Sequence, residues 1–180
     1  MYKSIFQRIF ETDGMKKLFI KYHWLFLIIT VLNSCHNKAI EDVFDEAGEL
    51  QLVKQSINNV FGWAVNKDFD LFYGSIANDS DFISVTPYDR VKFGFNEVRK
   101  DSGFWGSPDF RAIRHELRDL HIYFSQNNDV AWFFCYLDDI NEWKGEPANW
   151  ENARWTGVLE KRNGKWVIVQ QHFSFAAEQI

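Results

Sequence analysis

The spacing of hydrophobic residues divides the chain into a helical part and a strand-rich part. In residues 49–66 the apolar positions recur at steps of three and four, which predicts an amphipathic helix of about five turns. Residues 68–79 predict a second, shorter helix with Asp68 as its N-cap. Residues 81–87 predict a strand that ends at a proline, and residues 92–109 a short helix followed by a loop.

The second half of the chain predicts long antiparallel strands. Residues 110–126 and 130–140 have strand composition and are separated by a three-residue turn, and residues 152–176 predict a hairpin about an Asn-Gly turn. Helices that precede a run of strands favour an α+β domain, with the helices covering one face of an antiparallel sheet. A sheet that wraps around helices curves through bulges, so we expect a conical cavity inside it.

The C-terminal hairpin contains the first candidate site residues. A two-residue turn at Asn163-Gly164 and regular pairing place Trp155 opposite His172 and Arg154 opposite Phe173. Because side chains alternate between faces, Trp155 and His172 then share one face and Arg154 lies on the other. A bulge would shift these pairings.

An aromatic wall with a few polar groups is typical of a small-molecule cavity. His172 is the catalytic candidate, as a general acid or base with a pKa near neutrality, and a fixed structural hydrogen bond is the alternative role. Arg154 can hold a carboxylate, or pair with a neighbouring acid. The predicted ligand-binding residues, for which core packing is the alternative among the aromatics, are Trp155, Arg154, Gln170, Trp132, Trp63 and Tyr88.

The N-terminal residues have a different character from the rest. A basic stretch at Met15-Lys16-Lys17 precedes an uncharged apolar run that ends before Cys35, which predicts a secretory signal over residues 1–34. The run is shorter than the roughly 20 apolar residues of a membrane-spanning helix. Met15 is an alternative start. We therefore divide the chain into the signal, a polar tether over 35–47, and a folded domain over 48–180.

The Leu-Asn-Ser sequence before Cys35 resembles the lipobox of bacterial lipoproteins. The resemblance implies cleavage before Cys35, lipidation of that residue, and a location in the bacterial cell envelope with a lipid anchor in a membrane. An ordinary signal peptide or an uncleaved anchor is the alternative.

Charge and cysteine content exclude some classes of function. Five of the 20 Lys and Arg and two of the 25 Asp and Glu lie in residues 1–34, so the remainder carries a net charge of −8. An acidic chain without a basic stripe argues against nucleic acid as a partner. Cys135 and Cys35 are the two cysteines of the chain, so we expect no disulfide framework, with Cys135 as a buried apolar residue.

Known cofactor and metal motifs are not found in the sequence. His115 and His121 lie six residues apart, which is not the spacing of a structural zinc site. The chain contains neither a glycine-rich phosphate loop nor a Gly-x-Ser-x-Gly nucleophile turn. We therefore expect no metal and no cofactor.

Two segments carry a family resemblance: DFDLFYGSIANDSDFISVTP over 68–87 and RWTGVLEKRNGKWVIVQQHFS over 154–174. They resemble the SnoaL-like branch of the nuclear transport factor 2-like superfamily, and the second is similar to the association domain of calcium/calmodulin-dependent kinase. The resemblance covers residues 49–176. It implies helices packed in a strongly curved antiparallel sheet with a conical cavity, and leaves the function open because the superfamily includes isomerases, cyclases, dehydratases and oligomerisation domains.

Three functions follow from these features. The first is binding of a small, partly apolar ligand, without demonstrable catalysis. The second is proton transfer of the isomerase, cyclase or dehydratase type. The third is oligomerisation, such as a homodimer, through the hairpin face that carries Val158, Val167, Val169 and Phe173.

The superfamily that this chain resembles includes isomerases, which rely on carboxylates in the cavity for proton transfer. The candidates here are Asp79, Asp81, Asp138 and Asp139, and we expect them to be solvated, with no strongly raised pKa, because adjacent acids at strand ends usually face water.

Overall fold

The computed structural model describes residues 44–177, and the predicted signal and Cys35 lie outside that range. The helices are α1 (Glu46–Gly62), α2 (Phe69–Tyr73), α3 (Phe95–Arg99) and α4 (Ser102–Gly106). The strands are β1 (Ile83–Val85), β2 (Val91–Phe93), β3 (Phe110–Phe124), β4 (Val130–Trp143), β5 (Glu146–Pro147), β6 (Trp150–Arg162) and β7 (Lys165–Ser174). No helix within residues 44–177 is both long and apolar enough to cross a membrane.

The strands form one strongly curved half-barrel sheet, which confirms the predicted α+β class. Its order is β2-β1-β7-β6-β4-β3, with the short β5 paired to β4, and every pairing is antiparallel except β1 with β7. Irregularities in register interrupt β3, β4 and the β6–β7 pairing, and such bulges bend long strands. The helices pack against the concave side, which we call the inner face.

Helix α1 begins earlier than predicted because Asp45 caps it, accepting a hydrogen bond from the backbone N–H of Gly48 at 3.0 Å. Val53 and Ile57 of its apolar stripe are completely buried. Glu49 ties the helix to the far hairpin, accepting hydrogen bonds of 2.7 Å from Lys161 and from the indole N–H of Trp166.

Helix α2 begins at the predicted cap but is shorter than predicted. The Asp68 carboxylate accepts from the Leu71 N–H at 3.0 Å. Beyond Gly74 the backbone leaves the helix, because Ser75 and Ala77 exchange hydrogen bonds of 2.9 and 2.8 Å with Ile168 of β7. Pairing with a distant strand therefore replaces the end of the predicted helix.

The C-terminal hairpin is confirmed. Its predicted register is correct from the turn to Leu159 and wrong for the pairs farther from the turn, which involve residues 154–158. A bulge between Val158 and Leu159 pairs Trp155 with Phe173, and Thr156 with His172. Phe173 is consequently buried on the inner face, whereas His172 is exposed on the outer, convex face. The shift buries the phenyl ring of Phe173 and leaves the imidazole of His172 exposed. This arrangement is favourable because phenylalanine is more often buried than histidine. It also removes Phe173 from the outer face, where we had expected it to contribute to an interface.

Candidate functional site

A cavity of about 1060 Å³ lies on the inner face, between the end of α1, helix α4 and strands β1, β2, β4 and β7. Most of its wall is apolar. The apolar residues that line it are Val60, Phe61, Trp63, Ala64, Phe72, Val98, Phe104, Trp105, Phe110, Pro147, Ala148, Trp150 and Phe173. A cavity of this size with an aromatic wall suits an organic molecule.

Three aromatic residues form a rigid part of this wall. Trp63 stacks on Phe72 with ring centroids 5.1 Å apart, and Trp105 meets Trp63 edge to face at 5.7 Å. The Trp63 indole N–H donates to the Val60 carbonyl at 3.0 Å, so its polar group is satisfied within α1. These contacts hold the rings in defined orientations and leave their apolar surfaces to the cavity.

A polar row crosses the floor of the cavity. Lys92 of β2 pairs with Ser84 of β1, which pairs with Gln171 of β7, so the three side chains lie side by side on the inner face. All three line the cavity and all are buried. The Gln171 amide donates to Ser84 Oγ at 3.1 Å.

The positive charge of Lys92, at one end of this row, is neutralised by a single carboxylate. Lys92, a residue that is 8% exposed, forms an ion pair through its ammonium with Asp101, and the Arg90 guanidinium donates to the same carboxylate at 3.2 Å. Lys92 also lies over the Trp105 ring, 5.1 Å from its centroid. A buried charge needs such partners, since an unpaired one is costly.

Asp139 and Asn141 provide a second polar group in the cavity, on β4. The Asn141 amide donates to Asp139 Oδ2 at 2.8 Å. Burial raises the pKa of the Asp139 carboxyl to about 6. The expectation that none of the candidate acids has a strongly raised pKa is therefore wrong for Asp139.

The neighbouring acid behaves in the opposite way. The backbone N–H of Asn152 and the Arg118 guanidinium hold the pKa of Asp138 below its ordinary value. Asp79 is similar, because its ion pair with Arg162 lowers its pKa. Buried residues alternate along β4 at 131, 133, 135 and 137 and again at 141, and Asp139 is in phase with them and half-buried; this alternation was the signal that could have found Asp139.

Of the residues predicted to bind a ligand, the structure brings two to the cavity, in addition to the candidate acid Asp139. Trp63 forms part of its wall, and the exposed ring of Tyr88 lies at its rim, 6.4 Å from Trp150. Trp155 is 0% exposed and packs in the core against Phe133 and Phe173.

The other predicted residues do not line the cavity. Trp132 is 46% exposed and stacks on Tyr123 on the outer face. His172 and Arg154 are exposed on the same face, where the Arg154 guanidinium donates to the Phe175 carbonyl. Gln170 also lies outside the cavity lining, because the bulge in the hairpin turns its neighbour Gln171 inward instead.

His115 is half-buried and is paired with Asp139 across β3 and β4, whereas Cys135 is fully buried. His115 bonds to Asn58 Oδ1 at 2.8 Å, and burial lowers its pKa. Burial raises the pKa of the Cys135 thiol to about 12, so the reactive thiolate is suppressed. Residues 44–177 contain no group of three or more His, Cys, Asp or Glu side chains placed to hold a metal ion.

Comparison with known families agrees with this architecture. The family model of the SnoaL-like domain matches residues 53–178. The chain belongs to the SnoaL-like domain family. No curated protein matches the chain.

Solved structures of nuclear transport factor 2-like (NTF2-like) proteins share the fold of this SnoaL-like protein. A candidate dehydratase of the NTF2-like family from Streptomyces avermitilis is 16% identical, with a TM-score of 0.60 over 73% of this chain and 99% of that one. A candidate calcium/calmodulin-dependent kinase II association domain from Exiguobacterium sibiricum is 8% identical, with a TM-score of 0.57 over 73% and 95%. An NTF2-like protein of unknown function from Shewanella oneidensis is 14% identical, with a TM-score of 0.53 over 71% and 99%.

Proposed function

We propose that this SnoaL-like protein binds a small, partly apolar ligand in the cavity of its inner face. The observation that carries the proposal is an aromatic cavity of about 1060 Å³ whose wall includes two buried side-chain amides. Apolar surface supplies affinity, and a few fixed polar groups supply orientation.

Thermal-shift screening of the full chain against a metabolite library tests this proposal. A ligand at 100 times its dissociation constant stabilises the folded state by about 2.7 kcal/mol, which raises the melting temperature measurably. Hits should stabilise the wild type and Trp132→Leu, whose ring is outside the cavity, but lose their effect with Trp105→Leu. A library without hits, or hits indifferent to Trp105→Leu, would contradict binding in this cavity.

Proton transfer by Asp139 is the second candidate function. A carboxyl with a pKa of about 6 inside an aromatic cavity is a stronger base than an ordinary aspartate and is still ionised at neutral pH. The adjacent Asn141 amide holds it in place at 2.8 Å. These features favour abstraction of a proton next to a carbonyl, the step shared by isomerases, cyclases and some dehydratases.

Deuterium exchange tests this candidate without a known substrate. The full chain is incubated in D₂O with acetophenone or 2-tetralone, and loss of the α-proton signals is followed by proton NMR. We expect exchange faster than in buffer, rising through about pH 6 and falling by at least about tenfold in Asp139→Asn. Asp119→Asn is the matched control, because Asp119 is exposed and its positive φ of 52° suits asparagine. Exchange at the buffer rate, or unaffected by Asp139→Asn, argues against the candidate.

Export and lipid anchoring at Cys35 are also part of the proposed function. The support is the sequence pattern of residues 15–35. Expression of the full chain in bacteria with radiolabelled palmitate should label the protein and place it in the membrane fraction. Cys35→Ser should abolish the label, and a label that survives this substitution would rule out Cys35 as the site.

Self-association through the outer face is the remaining proposal. Tyr123, Trp132 and Val158 are paired across β3, β4 and β6 and form an apolar row on that face. Tyr123 and Trp132 are exposed and stack with centroids 6.0 Å apart. Light scattering of the full chain at micromolar concentration should show a dimer that the double substitution Tyr123→Ser and Trp132→Ser converts to a monomer. A monomeric wild type would exclude the proposal.

A further inference from the structure

Asp139 presents a carboxylate oxygen without a partner to the cavity. Its Oδ2 accepts from the Asn141 amide at 2.8 Å, whereas no side chain or backbone N–H of residues 44–177 donates to its Oδ1. The amide oxygens of Asn141 and Gln171 have almost no accessible surface, but Asp139 is only half-buried and its Oδ1 retains some. Because Asp139 lines the cavity, a bound molecule can reach this oxygen.

The side chains next to Asp139 bring no positive charge to it. Its cross-strand neighbour on β3 is His115. Burial lowers the pKa of His115, so the imidazole is neutral at pH 7, and its Nε2 bonds to Asn58 Oδ1 of α1 at 2.8 Å. Asn141 supplies a neutral amide. The Asp139 carboxylate is therefore without a cationic partner among residues 44–177.

The two cations of the cavity wall are engaged on another strand. Lys92 and Arg90 both bind the Asp101 carboxylate, beside β2, which stands four places from β4 in the sheet order. Asp89 also lines the cavity, so these four side chains carry equal numbers of positive and negative charges. Asp139 then leaves the wall with one negative charge in excess. The charge that complements it is positive.

Aromatic rings border the Asp139 carboxylate. Trp150 of β6 is its other cross-strand neighbour, and Phe173 lies 5.3 Å from Trp150 and 5.8 Å from Phe61 between ring centroids. All three rings line the cavity. The faces of aromatic rings attract cations, and more strongly where water is excluded. A carboxylate oxygen beside such rings is complementary to a cation that also carries apolar surface.

The donor set favours an organic cation over a metal ion. Ca²⁺ and Mg²⁺ require several oxygen ligands in a defined geometry. Residues 44–177 place no group of three or more His, Cys, Asp or Glu side chains around such an ion. An ammonium ion needs one charged acceptor, and its apolar skeleton can use the aromatic wall.

We propose, on the basis of the proposed binding function, that the ligand is an amine, bound as an ammonium ion on a largely apolar aromatic or alicyclic skeleton. Its N–H donates to Asp139 Oδ1 beside Trp150, and its skeleton lies along the wall towards Trp63 and Trp105. The class is distinct from neutral alcohols and from carboxylates of the same shape. An ammonium there occupies the carboxylate, so the inference extends the binding function and is separate from the proton-transfer candidate.

Matched amine and alcohol probes test the inference on the full chain by isothermal titration calorimetry at pH 8. The pairs are 2-phenylethylamine with 2-phenylethanol, tryptamine with tryptophol, and 2-aminotetralin with 2-tetralol. Both members of a pair can donate a hydrogen bond, so the comparison isolates the charge. We expect at least one amine to bind at least about tenfold more tightly than its alcohol, because a charge-assisted hydrogen bond is roughly twice as strong as a neutral one.

A substitution of nearly equal size locates the acceptor. Asp139→Asn should weaken binding of that amine and leave binding of its alcohol unchanged, so that the preference shrinks to about twofold or less. Asp119→Asn is the matched control, since Asp119 is exposed and does not line the cavity. A purely structural role of Asp139 would change both affinities equally and leave their ratio as in the wild type.

The pH dependence of the wild type gives a measurement that needs no variant. Burial raises the pKa of Asp139 to about 6, so the carboxylate is ionised at pH 8 and only about one-tenth ionised at pH 5. The affinity for the amine should therefore fall about tenfold between these pH values, and that for the alcohol by about twofold or less. Protonation of His115 acts in the same direction, and its share is what remains in Asp139→Asn.

The possible outcomes separate the inference from the proposed function. Alcohols that bind as tightly as their amines, or an amine preference that survives Asp139→Asn or is unchanged at pH 5, overturn the inference and leave ligand binding intact. Binding by none of the amines also overturns it, whereas the proposed function fails only if the wider library gives no hit. If Asp139→Asn does not fold, the wild-type comparison and its pH dependence decide.

Discussion

The inner and outer faces of the sheet can be compared directly at two places where adjacent residues are of the same type. Asp139 faces the cavity and has a raised pKa, whereas Asp138 on the other face accepts from a backbone N–H and Arg118 and has a lowered one. Gln171 is buried in the cavity floor, whereas Gln170 does not line it. The two aspartates thus have opposite pKa shifts and the two glutamines differ in burial one position apart, and the face on which each lies is the cause.

The largest expected difference between the faces concerns two tryptophans. Trp155→Ala should lower the free energy of unfolding by about 3–5 kcal/mol, because a completely buried ring leaves a cavity among Phe61, Phe133 and Phe173. Trp132→Ala on the outer face should cost about 1 kcal/mol or less. Urea unfolding measures both, and equal losses would contradict the assignment of the two rings to core and surface.

The two aspartates should respond to pH with opposite signs. The folded-state pKa of Asp139 is about 6, above its ordinary 3.8, so folding favours the protonated form and stability falls as pH rises through this range. Asp139→Asn should therefore raise the free energy of unfolding at pH 7 by about 1–3 kcal/mol, with the gain disappearing below about pH 4.

Asp138 should show the reverse behaviour. Its folded-state pKa is lowered, so its stabilisation is present above the ordinary pKa and is lost as pH falls through the folded-state value. Asp138→Asn should lower the free energy of unfolding at pH 7 by about 1 kcal/mol and have little effect in acid. Urea unfolding from pH 3 to 8 compares the two variants, and effects of the same sign at pH 7 would contradict the comparison.

The smallest expected effect is that of His172→Ala. His172 is exposed on the outer face opposite Thr156, so its removal should change the free energy of unfolding by about 0.5 kcal/mol or less. Ligand-induced stabilisation and deuterium exchange should also stay at wild-type levels. Loss of either one in this variant, with stability unchanged, would restore His172 as a functional residue.

Much of the fold could be predicted because local signals agreed with it. The three- and four-residue period of α1, the Asp68 cap and the Asn-Gly turn are properties of neighbouring residues. The shortened α2 could not be predicted, because Ser75 and Ala77 leave the helix to pair with Ile168, far along the chain. Strand β2 was missed for a similar reason, since three residues form a strand only beside β1.

The candidate site was predicted poorly, and one bulge explains most of the error. Regular pairing, counted outward from the turn, predicted that His172 lies opposite Trp155. An extra residue in β7 shifts the register by one, so that each later side chain of this strand lies on the opposite face from the one predicted. Gln171 and Phe173 therefore replaced Gln170 and His172 on the inner face. The alternation that reaches Asp139 in β4 was present in the sequence, but two adjacent acids suggested solvent more strongly than the alternation suggested burial.

The sequence by itself determined the fold class, the Asp68 cap, the hairpin turn and the family, because each depends on residues close together or on a pattern spread over the whole domain. Tertiary structure decided which polar groups share the cavity. Lys92, Ser84 and Gln171 meet only through the register of three strands, and Asp139 acquires its pKa only from what packs around it. Desolvation and register are properties of the assembled sheet, and a single bulge is enough to change both.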